Sequence, residues 1–338
     1  MNKLLSYYTS LFGTSGREGD VRRGILNEIS DYAQTRVDSL GNIIAFKQGK
    51  AEPPATVMLS AHMDEVGLIV THITDDGYLK FETLGGINPA VLYGKQVMIG
   101  TGKIYGVIGQ MAPHLRDKKD DKVKKIEDLY IDIGAKDKED ALLYVSPGDV
   151  VGFRSDYMEF GEGLVRAKAL DDRAGCQILT ELIKKDLPFD TWFVFSTMEE
   201  VGCIGAGCAA FDIKPDYSIV VEGTTAADIS DDKNKSSVCN VGDGPVISFM
   251  DGGTIYNKDF INLAISAAKE NGIKYQMKQA VAGGNDSYKI QRTGPGCASL
   301  AVSVAVRYLH TPIGVASLQD IEDTGSLVYA ILEKLQNI

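Results

Sequence analysis

Residues 55–67 read ATVMLSAHMDEVG: seven apolar or small residues, then a histidine, a methionine and two acids. A nearly continuous apolar run of this kind fits a strand buried on both faces of a mainly parallel sheet, with helices covering each side. Titratable residues placed directly after such a strand fall at its carboxyl end, where open α/β sheets bind ligands. The stretch therefore predicts an α/β fold and puts His62, Met63 and Asp64 at the functional edge of the sheet.

Upstream, the broken apolar pattern of MNKLLSYYTSLFGTSG reads as a helix rather than a leader, Val21 to Tyr32 as a second helix, and Thr35 to Phe46 as a hairpin turning at Gly41-Asn42. Downstream the texture changes. GLIVTHI, GYLKFETL, KQVMIG, KIYGVIG, LYIDIG and DVVGF are short β-rich pieces punctuated by Gly and Asp, which predicts a small barrel or sandwich. Beyond Gly163 the helical period returns in Arg173 to Lys185, Asn257 to Asn271 and Ser317 to Leu335, separated by the apolar strands TWFVFST, YSIVVEG and SLAVSVAV. The simplest architecture is an α/β domain, residues 1–65 and 162–338, interrupted by an inserted β domain at 66–161.

The pattern of the opening stretch recurs. Asp171-Asp172 follow VRAKAL, Glu199-Glu200 follow TWFVFSTM, Glu222 follows YSIVV and His310 follows AVRYL. An acid after a strand is usually a turn or helix cap, but five strand ends together offer two imidazoles and several carboxylates. That donor set suits borderline divalent ions, and it supplies five ligands for a two-metal site with a carboxylate to spare as general base.

In this order, SAHMDEVG (60–67), KALDDRAG (168–175), STMEEVGCIGA (196–206), VEGTTAAD (221–228) and RYLHTP (307–312) resemble the tetrahedral and glutamyl aminopeptidases, a family of cytosolic dinuclear metallopeptidases, some once described as endoglucanases. The similarity runs from the first helix to the last. It implies a zinc-peptidase-like catalytic domain, with a mixed, mostly parallel sheet flanked by helices, and a barrel-like insert used for oligomerisation. It makes Asp171 the metal-bridging carboxylate, His62 and Glu222 the other ligands of one ion, and Glu200 and His310 those of the second. Glu199 becomes the general base for a metal-bridging hydroxide that attacks the peptide bond after an N-terminal residue. Asp64 orients His62 by accepting from its second ring nitrogen, Asp172 supports rather than ligates, and the peptide between Asp171 and Asp172 is expected to be cis. Two divalent ions per subunit are implied, zinc first, with cobalt or manganese as alternatives. The implied partners are peptides and further copies of the chain, as dimers assembled into a dodecamer.

Three positions depart from the family pattern: Glu222 stands where many members carry Asp, Asn285 where many carry Thr and Gly314 where many carry Glu. The last two put specificity in question rather than catalysis. A deacylase or carboxypeptidase on the same dinuclear core is the competing reading, but its insert would carry helices. A glycosidase needs two separated carboxylates, and Glu199 and Glu200 are adjacent.

Other features read as structural. His72 lies in an alternating strand and His114 in a loop. Gly283-Gly284-Asn285-Asp286 reads as a tight turn near the site, and GTGKIYG lacks the residues of a phosphate loop. The net charge of -11 argues against nucleic acid, the mixed-sign run Lys118 to Lys125 reads as a solvated loop, and no stretch reaches the roughly 18 apolar residues of a membrane span. Five scattered cysteines suit reduced thiols in a cytosol, and Cys203 and Cys208 lack the second pair of a zinc knuckle.

Overall fold

The computed structural model describes residues 2–100, 103–111, 125–229 and 238–337. His114 and most of the Lys118 to Lys125 run lie outside them, as do Thr101 and Gly102 of GTGKIYG. The N-terminal part supplies α1 (Lys3–Ser10), α2 (Gly19–Ile29), β1 (Gln34–Val37), β2 (Ile43–Lys47) and β3 (Val57–His62). Asn2 caps α1 by accepting from the Leu5 N–H. Strands β1 and β2 form the expected hairpin, whose turn is held by Asp38: its Oδ1 accepts from the N–H groups of Leu40, Gly41 and Asn42, each at 3.0 Å.

The β-rich region closes into a barrel of β4 (Gly67–Ile73), β5 (Leu79–Leu84), β6 (Gln96–Ile99), β7 (Ile104–Gln110), β8 (Leu129–Asp132) and β9 (Val150–Phe153), in the order β4-β5-β8-β7-β6-β9. Its pairs are antiparallel, and it encloses a core of its own that includes Leu68, Val70, Phe81, Ile108 and Val151. The alternation of β4 fails at a register shift between Val70 and His72, so Thr71 and His72 both face out. The short α3 (Lys138–Leu142) is the one α-helix among the region's described residues.

After the barrel come β10 (Met158–Phe160), β11 (Leu164–Ala167), α4 (Leu170–Ile183), β12 (Thr191–Ser196), α5 (Ile204–Ile213), β13 (Tyr217–Thr225) and β14 (Val246–Ile247). The chain continues through α6 (Lys258–Glu270), β15 (Gln276–Met277), α7 (Ser287–Ile290), β16 (Ala298–Val306), β17 (Gly314–Ser317) and α8 (Leu318–Leu335). An eight-stranded sheet runs β1-β2-β12-β3-β13-β16-β14-β15. The expectation of a mostly parallel sheet needs correction, because only β12, β3, β13 and β16 at its centre, and the short β14-β15 pair, run parallel. Antiparallel contacts join β1 to β2, β2 to β12 and β14 to β16. The reason is local: β1 and β2 are linked by a tight turn, which forces opposite directions, whereas the central strands are linked through helices.

Strand β3 shows why its sequence is apolar throughout. Val57, Leu59 and Ala61 join the core shared with α4, α6 and α8, while Met58 packs on the opposite face with Ala206, Ala209 and Ile290 of α5 and α7. Strands β10, β11 and β17 form a separate antiparallel sheet. Among the described residues no helix is long and apolar enough to cross a membrane.

Candidate metal centre

Each candidate side chain is placed by a different connection. His62 is the last residue of β3, and its N–H donates to Asp172 Oδ2 at 3.1 Å. Asp171 and Asp172 sit at the start of α4 with non-helical torsions and a cis peptide between them. They are fed from β11, which belongs to the small sheet and not to the main one. Glu199 and Glu200 follow β12, and His310 lies in the turn between β16 and β17. Glu222 is inside β13 rather than at its end, two residues past Val220, where pairing with β3 stops. Ala169, Met198, Tyr308 and His310 all adopt left-handed torsions, a concentration of non-glycine strain typical of functional sites.

Asp171 lies between the two imidazoles. Its Oδ1 is 3.1 Å from His62 Nε2 and its Oδ2 is 3.6 Å from His310 Nε2, which in turn lies 3.2 Å from Glu200 Oε2. Among the described residues, donor atoms fall into three triads, of which His62, Glu199, Glu200 and Asp171, Glu200, His310 share Glu200, while Glu199, Cys203 and Asp286 form the third; all atoms of a triad lie within 4.8 Å of one another. Glu222 lines the same cavity but belongs to none of the triads; its Oε1 accepts from Asn285 Nδ2 at 2.7 Å.

The surrounding shell includes Asp64, placed there by the sequence, and residues that sequence reasoning did not assign, among them Ser15, Tyr256, Asp251 and Gly86. Asp64 is fully buried and accepts from the N–H groups of Glu199 (2.9 Å) and Glu200 (3.1 Å) and from Ser15 Oγ (2.6 Å). His62 Nδ1 lies nearer the Asp64 carbonyl (3.1 Å) than its carboxylate (3.5 Å), so Asp64 reaches the site chiefly by fixing the backbone of both glutamates. Asn285 also donates to the Tyr256 hydroxyl, which donates to Asp251 Oδ2. The barrel contributes too: the Gly86 carbonyl meets His310 Nδ1 at 3.0 Å. At Gly223 an added Cβ would stand 2.9 Å from Asp171 Cβ, so β13 needs glycine there. Repeated Gly marks in LGGI and VEGT were the available signals. Gly314 is buried, and a side chain there would press on Val306 at 3.1 Å. His72, out on the barrel surface, takes no part.

Burial first, and then neighbouring carboxylates, push Glu200 up to about 8 and hold Glu199 and Glu222 well above the usual carboxylate range. Burial opposes charge on His310, but Asp171 and Glu200 outweigh it and raise the imidazole to about 9. His62 is likewise raised, by Asp171 and Asp64 against the effect of burial. Burial would raise Asp171, yet its contacts with His310 and His62 hold it low. Imidazole nitrogens and carboxylate oxygens packed this closely, with carboxyl groups that burial and mutual repulsion keep from ionising together, form a donor set that fits divalent cations.

An α/β layer with this donor set at its sheet edge and a closed barrel beside it defines a metal-binding hydrolase class. The chain belongs to the M42 glutamyl aminopeptidase family, whose model matches residues 41–327. It is therefore a peptide hydrolase of the aminopeptidase kind. It is 38% identical over 332 residues to a putative aminopeptidase of Acetivibrio thermocellus, covering 97% of both chains. It is 33% identical to the lysyl aminopeptidase of Pyrococcus furiosus, covering 96% of this chain and 94% of that one. Among solved structures it matches the Pyrococcus horikoshii TET1 peptidase, which can assemble into a tetrahedron or a large octahedral shell, with a TM-score of 0.85, 34% identity, and 97% and 98% coverage. A dodecameric PhTET1 form matches with a TM-score of 0.86 and 35% identity, covering 98% of this chain and 99% of that one.

Proposed function

We propose that this chain is a dinuclear aminopeptidase that removes N-terminal residues from short peptides. The observation that carries the reading is the Asp171 carboxylate, which turns one oxygen toward each of two imidazoles. His62, Asp171 and Glu222 would hold one ion, and Asp171, Glu200 and His310 the other. The second set coincides with one of the donor triads; in the first, Glu222 is held at the cavity wall by Asn285. Zinc suits these donors first, and cobalt or manganese are the alternatives. When bound, the ions supply Lewis-acid polarisation of the scissile carbonyl and a nucleophilic water at neutral pH.

Glu199 is the general base in this reading. Its backbone is fixed by Asp64, and its carboxylate lies within the donor triad of His62 and Glu200, where it can take a proton from the attacking water and return it to the leaving amine. Residues 1–65 and 162–338 form the catalytic domain and residues 66–161 the inserted one, a division supported by their separate apolar cores. The barrel mediates assembly into dimers and a dodecamer, a reading supported by the assemblies of the TET1 relative. Five free thiols suit a reducing cytoplasm.

Chelator-stripped protein, reloaded with zinc, cobalt or manganese, should bind two equivalents per chain and cleave aminoacyl p-nitroanilides but not their N-acetylated forms. Cleavage of only the acetylated forms would move the chain to the deacylase reading. The family takes in a relative named for lysyl release and carries a glutamyl name, so membership leaves the preferred N-terminal residue open.

A further inference from the structure

Beside the proposed dinuclear centre a third group of donors is left over. Glu199, Cys203 and Asp286 each bring one donor atom to within 4.8 Å of the others, and Cys203 Sγ lies 3.4 Å from Glu199 Oε1. The turn after β12 makes this contact: the Cys203 N–H donates to the Glu199 carbonyl at 2.8 Å, and Cys203 takes a left-handed torsion just before α5. Asp286 comes from a different segment, as the residue before α7. Its Oδ2 accepts from Ser196 Oγ at 2.5 Å and from Ser60 Oγ at 3.5 Å. Its Oδ1 has no hydrogen-bond partner among the described residues, although Asp286 is only 1% exposed.

Burying acids without a cationic partner is costly. The buried cations Lys168 and Arg173 pair with Glu65 instead, and among the described residues no lysine or arginine makes an ion pair with Glu199 or Asp286. Two carboxylates and a thiol at this separation are donors for a borderline divalent ion, and the sulfur favours zinc or cobalt over magnesium or calcium. Glu199 also lines the cavity of the dinuclear centre, which gives an ion its way in. Binding exchanges the S–H bond of Cys203 for a sulfur–metal bond and releases the proton to solvent.

We propose that Glu199, Cys203 and Asp286 form a third cation site, weaker than the assigned pair, which takes up a thiophilic divalent ion such as zinc and thereby withdraws the general base. It is the weaker site because two dications already bound nearby repel a third. With its carboxylate engaged there, Glu199 cannot take the proton of the attacking water, so turnover stops while the first two ions stay in place. The inhibition rests on the aminopeptidase reading and on Glu199 as its base; the site itself does not.

Cobalt is the probe, titrated past two equivalents onto the full chain in the absence of oxygen. Neither assigned ion has a sulfur ligand, so a thiolate-to-cobalt charge-transfer band in the near ultraviolet reports the third site alone. The band is expected to grow only after two equivalents and to vanish in Cys203→Ser, which removes the sulfur at nearly constant size. Asp286→Asn keeps an acceptor for Ser196 and should weaken the third binding step by about tenfold or more. On an aminoacyl p-nitroanilide, the third equivalent should lower kcat of the wild type by about tenfold or more, since a general base contributes about 10²- to 10⁴-fold. Cys203→Ser should keep the rate that it has at two equivalents. A band that persists in Cys203→Ser overturns the proposal. So does the absence of any band, which a proton shared between two buried acids would give, and so does a band without loss of rate. If no aminoacyl substrate is cleaved, the peptidase reading fails, and the cobalt spectrum alone judges the site.

Discussion

At the scale of single residues, Glu199 and Asp171 perform separable tasks. Glu199→Gln preserves size and hydrogen bonding but cannot take a proton, so turnover should fall by about 10²- to 10⁴-fold while two metal equivalents remain. Near-wild-type turnover in that variant would remove Glu199 from the base position. Asp171 is shared between the imidazoles whereas Glu222 stands to one side. Asp171→Asn should therefore release both ions, and Glu222→Asp should weaken one. Elemental analysis checks this directly, and two full equivalents in Asp171→Asn would end the bridging assignment. Gly223 belongs to the same scale. The methyl of Gly223→Ala would meet Asp171 Cβ at 2.9 Å, costing about 1–3 kcal/mol of stability and lowering metal affinity together. Denaturant midpoints and a chelator competition should move in step.

At the scale of elements, the end of β16 is tied to the segment after β13 by a two-pronged ion pair: Arg307 Nε and Nη2 donate to the two oxygens of Asp228 at 2.8 and 2.6 Å. Burial alone would raise the half-buried Asp228, but Arg307 and the Val241 N–H outweigh it and hold the carboxyl below its ordinary value. The folded-state pKa is depressed, so the stabilisation is present above the unfolded value of about 4 and is lost as pH falls through the folded value. Urea midpoints of wild type and Asp228→Asn should differ by a constant amount above about pH 5 and converge in acid. A gap that widens on acidification would contradict the assignment. The pair also holds β16 just upstream of His310, which links an element-scale tether to the position of one donor.

At the scale of the whole molecule, the barrel is both a neighbour of the site and a candidate contact surface. It supplies Gly86 to His310 from one side. From other faces it presents Tyr105, Val107 and Tyr144, each about half exposed. Apolar side chains in such numbers on a small barrel favour a covered surface, in keeping with the assemblies formed by the TET1 relative. Light scattering should give a mass well above that of one chain. The assembly should cleave a short peptide while sparing a folded protein that shares its N-terminal residue. A fully active monomer in dilute solution would defeat both expectations.

The sequence by itself determined the layers. Continuous apolar strands, helical periods and a β-rich interval set out an α/β unit with an inserted barrel, because burial on one face or two leaves its mark on residue order. The sequence also marked His62, Asp171, Glu199, Glu200 and His310, since each follows a strand or opens a helix. It did not determine direction: the outer pairings of the sheet depend on turn geometry and on which edge a strand finds. Nor did it show that Asp171 arrives from the small sheet, that Glu222 sits within β13 on the amide of Asn285, or that Asp64 grips the backbone of two glutamates. Those contacts join residues from 63 positions apart, in Asn285 and Glu222, to 136, in Glu200 and Asp64. Only the tertiary structure brings them together, because the cost of burying a charge is met by whichever group the fold puts beside it.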